Sequence, residues 1–461
     1  MSRKPSCSRA PLQTTRATAA GALLVALLAA AACRFDESVP LGVEQRLGGI
    51  DPRRIVAIGD DFAAGASDGA LYASAQTVSL PALLALHLAG DPLLQPLVSD
   101  PGLAIGEEEG GRLRLVDLAP LKLEREAAGS PLASAPGRPF DNLGVPGALV
   151  SEALTAESSA TSSLGNPFYD LVLRGQGTFA EQAAELDPTL VLLWIGTSDV
   201  LRYVAAGGDT DLVPGLPTPV GTFALAYEAL LDAVLASTEQ VVLFTIPDPR
   251  SLPVVRAVPG FVLDAVTGEP VMITVIEPVI DPQTGQAVID PVTGDTLFAQ
   301  RQSTVPLLGP AGPLGPMDLV LLDALPLLEE GIGIPAAVGG AGTPLPDRAV
   351  LDGAEQADVS GSVFGYNQTI RALAAEHDLP LVDVHALVEE LALGGRVSDG
   401  ILLSAAYASG QAFSLDGARF TPKGYGVVAN LVIDVLNARY GGSVPHLRTA
   451  GLPGTSLLGL P

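Results

Sequence analysis

The sequence predicts an α/β protein: a three-layer αβα sandwich around a mostly parallel sheet, with a β-hairpin-rich insertion. Three observations predict it. Short apolar runs alternate with stretches of helical periodicity along most of the chain, the pattern of strands buried between helices. One stretch, 251–345, breaks that alternation with repeated turn signals. The composition, 48% hydrophobic and 16% charged over 461 residues, is that of a globular chain long enough for a large core plus insertions.

The elements follow in order. Arg3, Lys4, Arg9 and Arg16 precede an apolar run from Ala17 to Ala32 that ends at Cys33. A basic region, a short apolar region and small residues at the end make residues 1–32 a signal peptide, whose apolar run of 16 residues is too short to span a bilayer comfortably. Cleavage before Cys33 would make it a lipidation site of the bacterial lipoprotein type; the same alanines also fit an ordinary Ala-x-Ala site. Lipidation is favoured, because Cys33 would be the only cysteine of the mature chain and Cys7 leaves with the signal. The localisation expected is the bacterial cell envelope, through a lipid anchor, or otherwise secreted or periplasmic. Residues 33–50 read as a tether.

Arg54–Ile58, bounded by Gly59-Asp60, is an apolar run of the buried parallel type. Leu190–Ile195, Val241–Ile246 and Leu379–Val384 repeat it, with helical periodicities at 80–89, 147–156, 221–236, 363–376 and 423–438. The main domain is therefore read as 51–250 and 346–445, with 446–461 as a tail. Within 251–345 three turns share one form: Asp264 to Gly268, Asp281 to Gly285 and Asp290 to Gly294, each with Thr-Gly between β-prone segments. Their spacing fits hairpin turns and no EF-hand loop. A helix is expected near 318–330.

The chain carries 25 basic and 51 acidic residues, a formal charge of −26. Removal of the signal takes away four basic residues and no acidic one, leaving −30. That excess argues against nucleic acid and anionic lipid as partners of the main body, so membrane contact is expected only through the anchor.

Four segments stand at strand ends or helix starts, where open α/β sheets place ligands. They are Gly59-Asp60-Asp61-Phe62, Asn142-Leu143-Gly144-Val145-Pro146-Gly147, Gly196-Thr197-Ser198-Asp199, and Asp416 through Tyr425 with Arg419, Pro422 and Gly424 inside it. Their order and content resemble the SGNH/GDSL hydrolases (GDSL-like lipases and acylhydrolases) from about residue 54 to 440, apart from the insertion. The resemblance implies the family's flavodoxin-like sandwich and an ancestry of ester or acyl hydrolysis. It also implies a small-molecule ester, glycan or lipid ligand, and no metal or cofactor. A serine nucleophile belongs at position 61, a histidine base at 419 oriented by Asp416, and oxyanion donors at 61, Gly144 and an asparagine at 198.

Gly144 and Asp416 match that pattern, and Asp61, Ser198 and Arg419 depart from it. A guanidinium holds its proton and cannot act as base. Asp61 has no hydroxyl to activate, and Ser198 is shorter than asparagine, withdrawing a donor worth roughly 3–4 kcal/mol where such donors have been removed. Asp61 and Arg419 are complementary in charge, so an internal ion pair, bidentate in the favourable case, is expected, with Asp61 at a helix N-terminus. The resemblance with these departures implies a hydrolase-like chain impaired in serine catalysis, with a binding role as the function that remains. One alternative is an altered hydrolase using Asp61, or His385 with Asp383 nearby; another is a structural envelope lipoprotein. Ser67, in a Gly-x-Ser-x-Gly pattern, lies too far past the strand for a nucleophile elbow. His87 is read as a packing residue, and Gly339 to Gly342 follow no strand and make no phosphate cradle. With four histidines, none in a paired HxxxH spacing, no metal site is expected.

Overall fold

Ile55–Gly59 (β1) is buried at every position, as a run of apolar residues without polar alternation requires of a central strand. It pairs in parallel with Asn142–Gly144 (β2) on one side and Leu190–Trp194 (β3) on the other. Val241–Phe244 (β4) pairs with β3, and Leu381–Val382 (β5) with β4, both in parallel. The sheet order is therefore 2-1-3-4-5, and the chain reverses direction across the sheet between β1 and β3. Crevices beyond the carboxyl ends of strands at such a switch point are where open α/β sheets bind ligands. This computed structural model describes residues 46–106, 109–118, 121–132 and 136–455. The expected signal, Cys33 and most of the tether lie outside them, and the geometry below belongs to the unit beginning at Leu47.

Alternate strand residues feed two cores. Val56, Ile58, Val191, Leu193, Val241 and Leu243 pack with Phe179–Glu185 (α3), Val220–Leu235 (α5) and Gly353–Glu376 (α6). Ile55, Ala57, Leu192, Trp194, Val242 and Phe244 pack with Leu80–Leu88 (α2), Val384–Leu393 (α7) and Pro422–Tyr440 (α8). Helices thus cover both faces of the all-parallel sheet. Two further short helices matter for the site: Asp61–Ala64 (α1), directly after β1, and Ser198–Ala205 (α4), directly after β3.

Several elements differ from expectation. The helix expected over 147–156 is a single 3₁₀ turn, Val150–Glu152, because Pro146 and the positive φ of Gly147 hold the preceding backbone out of helical geometry. Near 318–330 the helix reduces to Leu325–Glu329 after a 3₁₀ turn. α6 starts ten residues earlier than its apolar periodicity, at a capping box formed by Asp352 and Glu355.

The 251–345 stretch does contain hairpins. Met272–Pro278 pairs antiparallel with Phe298–Thr304 over seven residues, and each of the three Asp-to-Gly turns closes by a 2.8 Å hydrogen bond from the glycine N–H to the aspartate carbonyl. The aspartate carboxylates cap their own turns, as Asp264 Oδ1 does for the N–H groups of Val266 and Thr267. The base of this stretch, with Val258, Val262, Val305 and Leu307, belongs to a third apolar cluster that shares Val254 with the main cores.

Candidate active site

The residues singled out in the sequence meet at the carboxyl ends of β1 and β3. Asp61 opens α1, Ser198 opens α4, and Arg419 lies in the loop leading to α8. Beneath them Phe62 stacks on Trp194 with ring centroids 4.9 Å apart, Trp194 stacks on Phe244 at 4.8 Å, and Phe420 meets Phe62 edge-on at 5.6 Å. Each partner of that cluster sits next to a site residue or at a strand end. Packing of the rings therefore brings the Asp61 and Arg419 loops together before any charge is considered.

Asp61 and Arg419 form the expected ion pair, with Arg419 Nη2 3.1 Å from Asp61 Oδ2 and side chains exposed by only 3% and 13%. The pair is not bidentate. The guanidinium fork is divided, its other terminal nitrogen reaching Asp416 Oδ2 at 3.1 Å. One cation thus bridges two buried carboxylates. Burial works to lower the Arg419 pKa, but the Asp61 and Asp416 carboxylates outweigh it and hold it above its ordinary value. Arg419 Nε is buried without a hydrogen-bond partner.

The Asp61 carboxylate has two further donors. The Gly147 N–H reaches Oδ1 at 2.9 Å, and the Ser198 hydroxyl approaches Oδ2 at 3.4 Å. Asp416 is held more tightly: the N–H groups of Gly69, Ala418 and Arg419 donate to it at 2.6, 2.8 and 2.9 Å, and the Ser414 hydroxyl at 3.1 Å. Of the two carboxylates, Asp61 depends more on Arg419.

Gly144 does not take the oxyanion-donor position assigned to it. Its N–H donates to Asn142 Oδ1 at 2.9 Å, and a Cβ there would lie 2.3 Å from the Ala64 backbone nitrogen. It is glycine so that β2 and α1 can approach closely. The donor aimed at residue 61 is the second glycine of the same motif, Gly147, at φ +76°. Asp61 stands in the first turn of α1, the helix N-terminus expected for it. A second carboxyl, Asp60, meets the start of α4, where its Oδ2 accepts from the N–H groups of Gly196, Thr197 and Ser198 at 3.1, 2.8 and 3.0 Å. Burial and the neighbouring Asp61 carboxylate push the Asp60 carboxyl up to about 8, against the opposing pull of those donors. Asp60 ties the β1 and β3 ends together, and its signal in the sequence was the paired acid at the strand end.

The alternative catalytic groups stand apart from this cluster. His385 places Nδ1 3.3 Å from the Ile246 carbonyl and Nε2 3.5 Å from Glu389, while Asp383 bonds Thr245, Ala386 N–H and Arg371. Asp383 and His385 therefore make no acid–base pair. Ser67 is buried in a tight bridge with Ala70. His87 Nε2 bonds the Pro445 carbonyl at 2.7 Å. Among the described residues no group of three or more His, Cys, Asp or Glu is arranged to hold a metal ion.

The arrangement has a chemical consequence. An ester carbonyl entering here would find no hydroxyl nucleophile at 61 and no base at 419. Position 61 instead carries a carboxylate that already accepts from the Gly147 N–H, the Ser198 hydroxyl and Arg419. Two surface cavities, of about 380 and 660 Å³, are lined elsewhere, by residues such as Leu391 and Tyr407 or Leu103 and Phe168, and by none of Asp61, Ser198 and Arg419. No protein-family model matches the chain, and a search of curated proteins finds no significant relative.

Proposed function

We propose that the chain is an exported SGNH/GDSL-hydrolase-like protein in which the ester-hydrolysing site is closed by its own Asp61 carboxylate, so that it binds a ligand and does not turn it over. The observation that carries this reading is the environment of Asp61. Its carboxylate stands at the position the family gives its serine nucleophile, accepting from the Gly147 N–H at 2.9 Å and from Arg419 at 3.1 Å. An internal anion held by those donors fills the place from which a hydroxyl would attack.

The replaced residues support one another. Serine and histidine act as a unit, so loss of both removes proton transfer and attack together. In their place Arg419 pairs with two buried carboxylates at once. The 2-1-3-4-5 sheet, with the cluster at its switch point, is the setting such a site requires. Anchoring at Cys33 in the cell envelope belongs to the same proposal, and the ligand class it implies is an uncharged ester, glycan or lipid.

Incubation with nitrophenyl acetate, nitrophenyl butyrate and a fluorophosphonate probe tests the reading. The expected result is neither turnover nor labelling. Turnover abolished by Asp61→Asn would overturn it in favour of an altered hydrolase, and turnover abolished by His385→Ala would assign the base to His385. Thermal stabilisation by an ester or glycan without turnover supports binding. Its absence across such a panel favours a structural envelope lipoprotein.

A further inference from the structure

Nearly half of the exposed large hydrophobic side chains among the described residues lie between 263 and 298, on the projecting two-stranded ribbon and its turns. Such a ribbon is marginal in water unless a further strand or face covers it. Its register shows which backbone groups are open. The Val305 N–H donates to the Val271 carbonyl at 3.0 Å, and the Val279 N–H to the Leu297 carbonyl at 2.8 Å. In an antiparallel pair the hydrogen-bonded positions alternate. With partners Ile273–Ser303, Val275–Arg301 and Glu277–Ala299, the odd-numbered residues of this strand bond inward. Met272, Thr274 and Ile276 therefore turn their N–H and C=O groups outward, and no other hydrogen bond among the described residues uses those groups.

That free edge is complementary to itself. From Val271 to Ile276 the strand has no charged residue, whereas the whole chain carries −26. An antiparallel pairing centred on Thr274 sets Met272 against Ile276 of a second copy, Ile273 against Val275, and Thr274 against its own counterpart. The positions that come into hydrogen-bonding register are the three whose groups point outward. Glu277 meets Val271 of the other copy, so no like charges are opposed. Pro270 and Pro278 bracket the strand, which limits the pairing to one short segment. On the face shared by the even-numbered residues, Met272, Ile276 and Phe298 are 50%, 67% and 61% exposed, and pairing joins the two sets into one apolar band.

We propose that this edge is an isologous interface through which a second copy of the chain adds its own Met272–Pro278 strand, making a four-stranded sheet across a two-fold axis. About six main-chain hydrogen bonds form, as the alternation of antiparallel pairs dictates. The acidic bodies repel one another, so the association is weak at low salt and tightens as salt screens them. This proposal stands on the ribbon alone and is independent of the Asp61 site.

Sedimentation velocity on the full-length chain tests it, over concentrations from about 1 to 100 μM at low and high salt, the range in which small interfaces dissociate. A reversible monomer–dimer equilibrium that strengthens with salt is expected. Thr274→Pro removes an outward N–H and no inward backbone bond, losing within the ribbon only the exposed contact from Gln302 Nε2 to the Thr274 hydroxyl at 2.9 Å, and should weaken association by roughly tenfold or more, as losing central edge hydrogen bonds implies. Ile276→Lys should do the same by placing a charge in the apolar band. Unchanged near-ultraviolet and far-ultraviolet circular dichroism would show that both variants fold. Gln300→Pro, on the opposite edge, should leave the dimer intact. A chain monomeric throughout, or an association indifferent to Thr274→Pro and Ile276→Lys, overturns the proposal. Polymers sensitive to Gln300→Pro overturn it in favour of pairing through both edges. Binding to phosphatidylcholine vesicles without self-association overturns it in favour of a lipid surface.

Discussion

Replacing Arg419 with methionine removes the one cation between Asp61 and Asp416 while keeping the length and apolar stem of the side chain. The two carboxylates are 3% and 7% exposed, with buried Asp60 directly beside them. Asp416 retains four other donors, but Asp61 retains only the Gly147 N–H and a long contact from Ser198. The cost therefore falls mainly on Asp61. Deleting one partner of a buried, hydrogen-bonded pair costs about 3–5 kcal/mol, because the other charge stays buried and uncompensated. Asp61→Ala in the same background relieves that charge. The double variant should accordingly lose less than the sum of the single losses, by about 1–3 kcal/mol, as coupled neighbours do. Urea denaturation followed by tryptophan fluorescence is a suitable assay, since Trp194 stacks on Phe62 beside the pair. A loss below about 1 kcal/mol for Arg419→Met, or strictly additive single effects, would show that Arg419 does not hold the Asp61 carboxylate in place.

Three further outcomes follow from particular residues. Burial and neighbouring carboxylates push Asp60 up to about 8, and burial pushes Asp199 up to about 7. Both stand above the ordinary carboxyl value in the folded chain, so their stabilising contribution is complete below about pH 4 and is lost as pH rises through 7 and 8. The urea midpoint should fall over that window, and Asp199→Asn should flatten part of the slope; a midpoint that rises with pH would contradict the assignment. Gly144→Ala forces a Cβ to within 2.3 Å of Ala64 N and should destabilise more than Gly147→Ala, whose Cβ meets only side-chain nitrogens at 3.3 and 3.4 Å but carries a left-handed φ cost of about 1–2 kcal/mol. Equal losses would remove the distinction drawn between the two glycines. Labelled palmitate fed to cells expressing the chain should enter the wild-type protein and not Cys33→Ala, and equal labelling of both would place the anchor elsewhere.

Much of the fold was legible because burial leaves a plain trace. β1, β3 and β4 are runs of apolar residues with no polar alternation, the pattern of strands covered on both faces. β2 escaped notice because its three residues, Asn142, Leu143 and Gly144, form no apolar run and take strand geometry only through pairing with β1. The first ten residues of α6 hold one large apolar side chain, the buried Val359, so they show no apolar periodicity and only the capping box marks the start. At the site, the opposite charges of Asp61 and Arg419 could be read directly and do meet. Which glycine offers its N–H could not be read, since Gly144 and Gly147 belong to one motif and only their backbone surroundings separate them. The divided fork of Arg419 was likewise hidden, because it depends on how closely the Asp416 turn approaches β1.

Under the proposed function, an ester-hydrolysing framework is closed by Asp61 and Arg419. The most direct measurement restores the three replaced groups together, as Asp61→Ser/Ser198→Asn/Arg419→His, and follows fluorophosphonate labelling and nitrophenyl butyrate turnover. Labelling at position 61 and turnover are expected in the triple variant, with none in the wild-type chain or in any single replacement. A folded triple variant that stays unlabelled, or a wild-type chain that reacts, would contradict it.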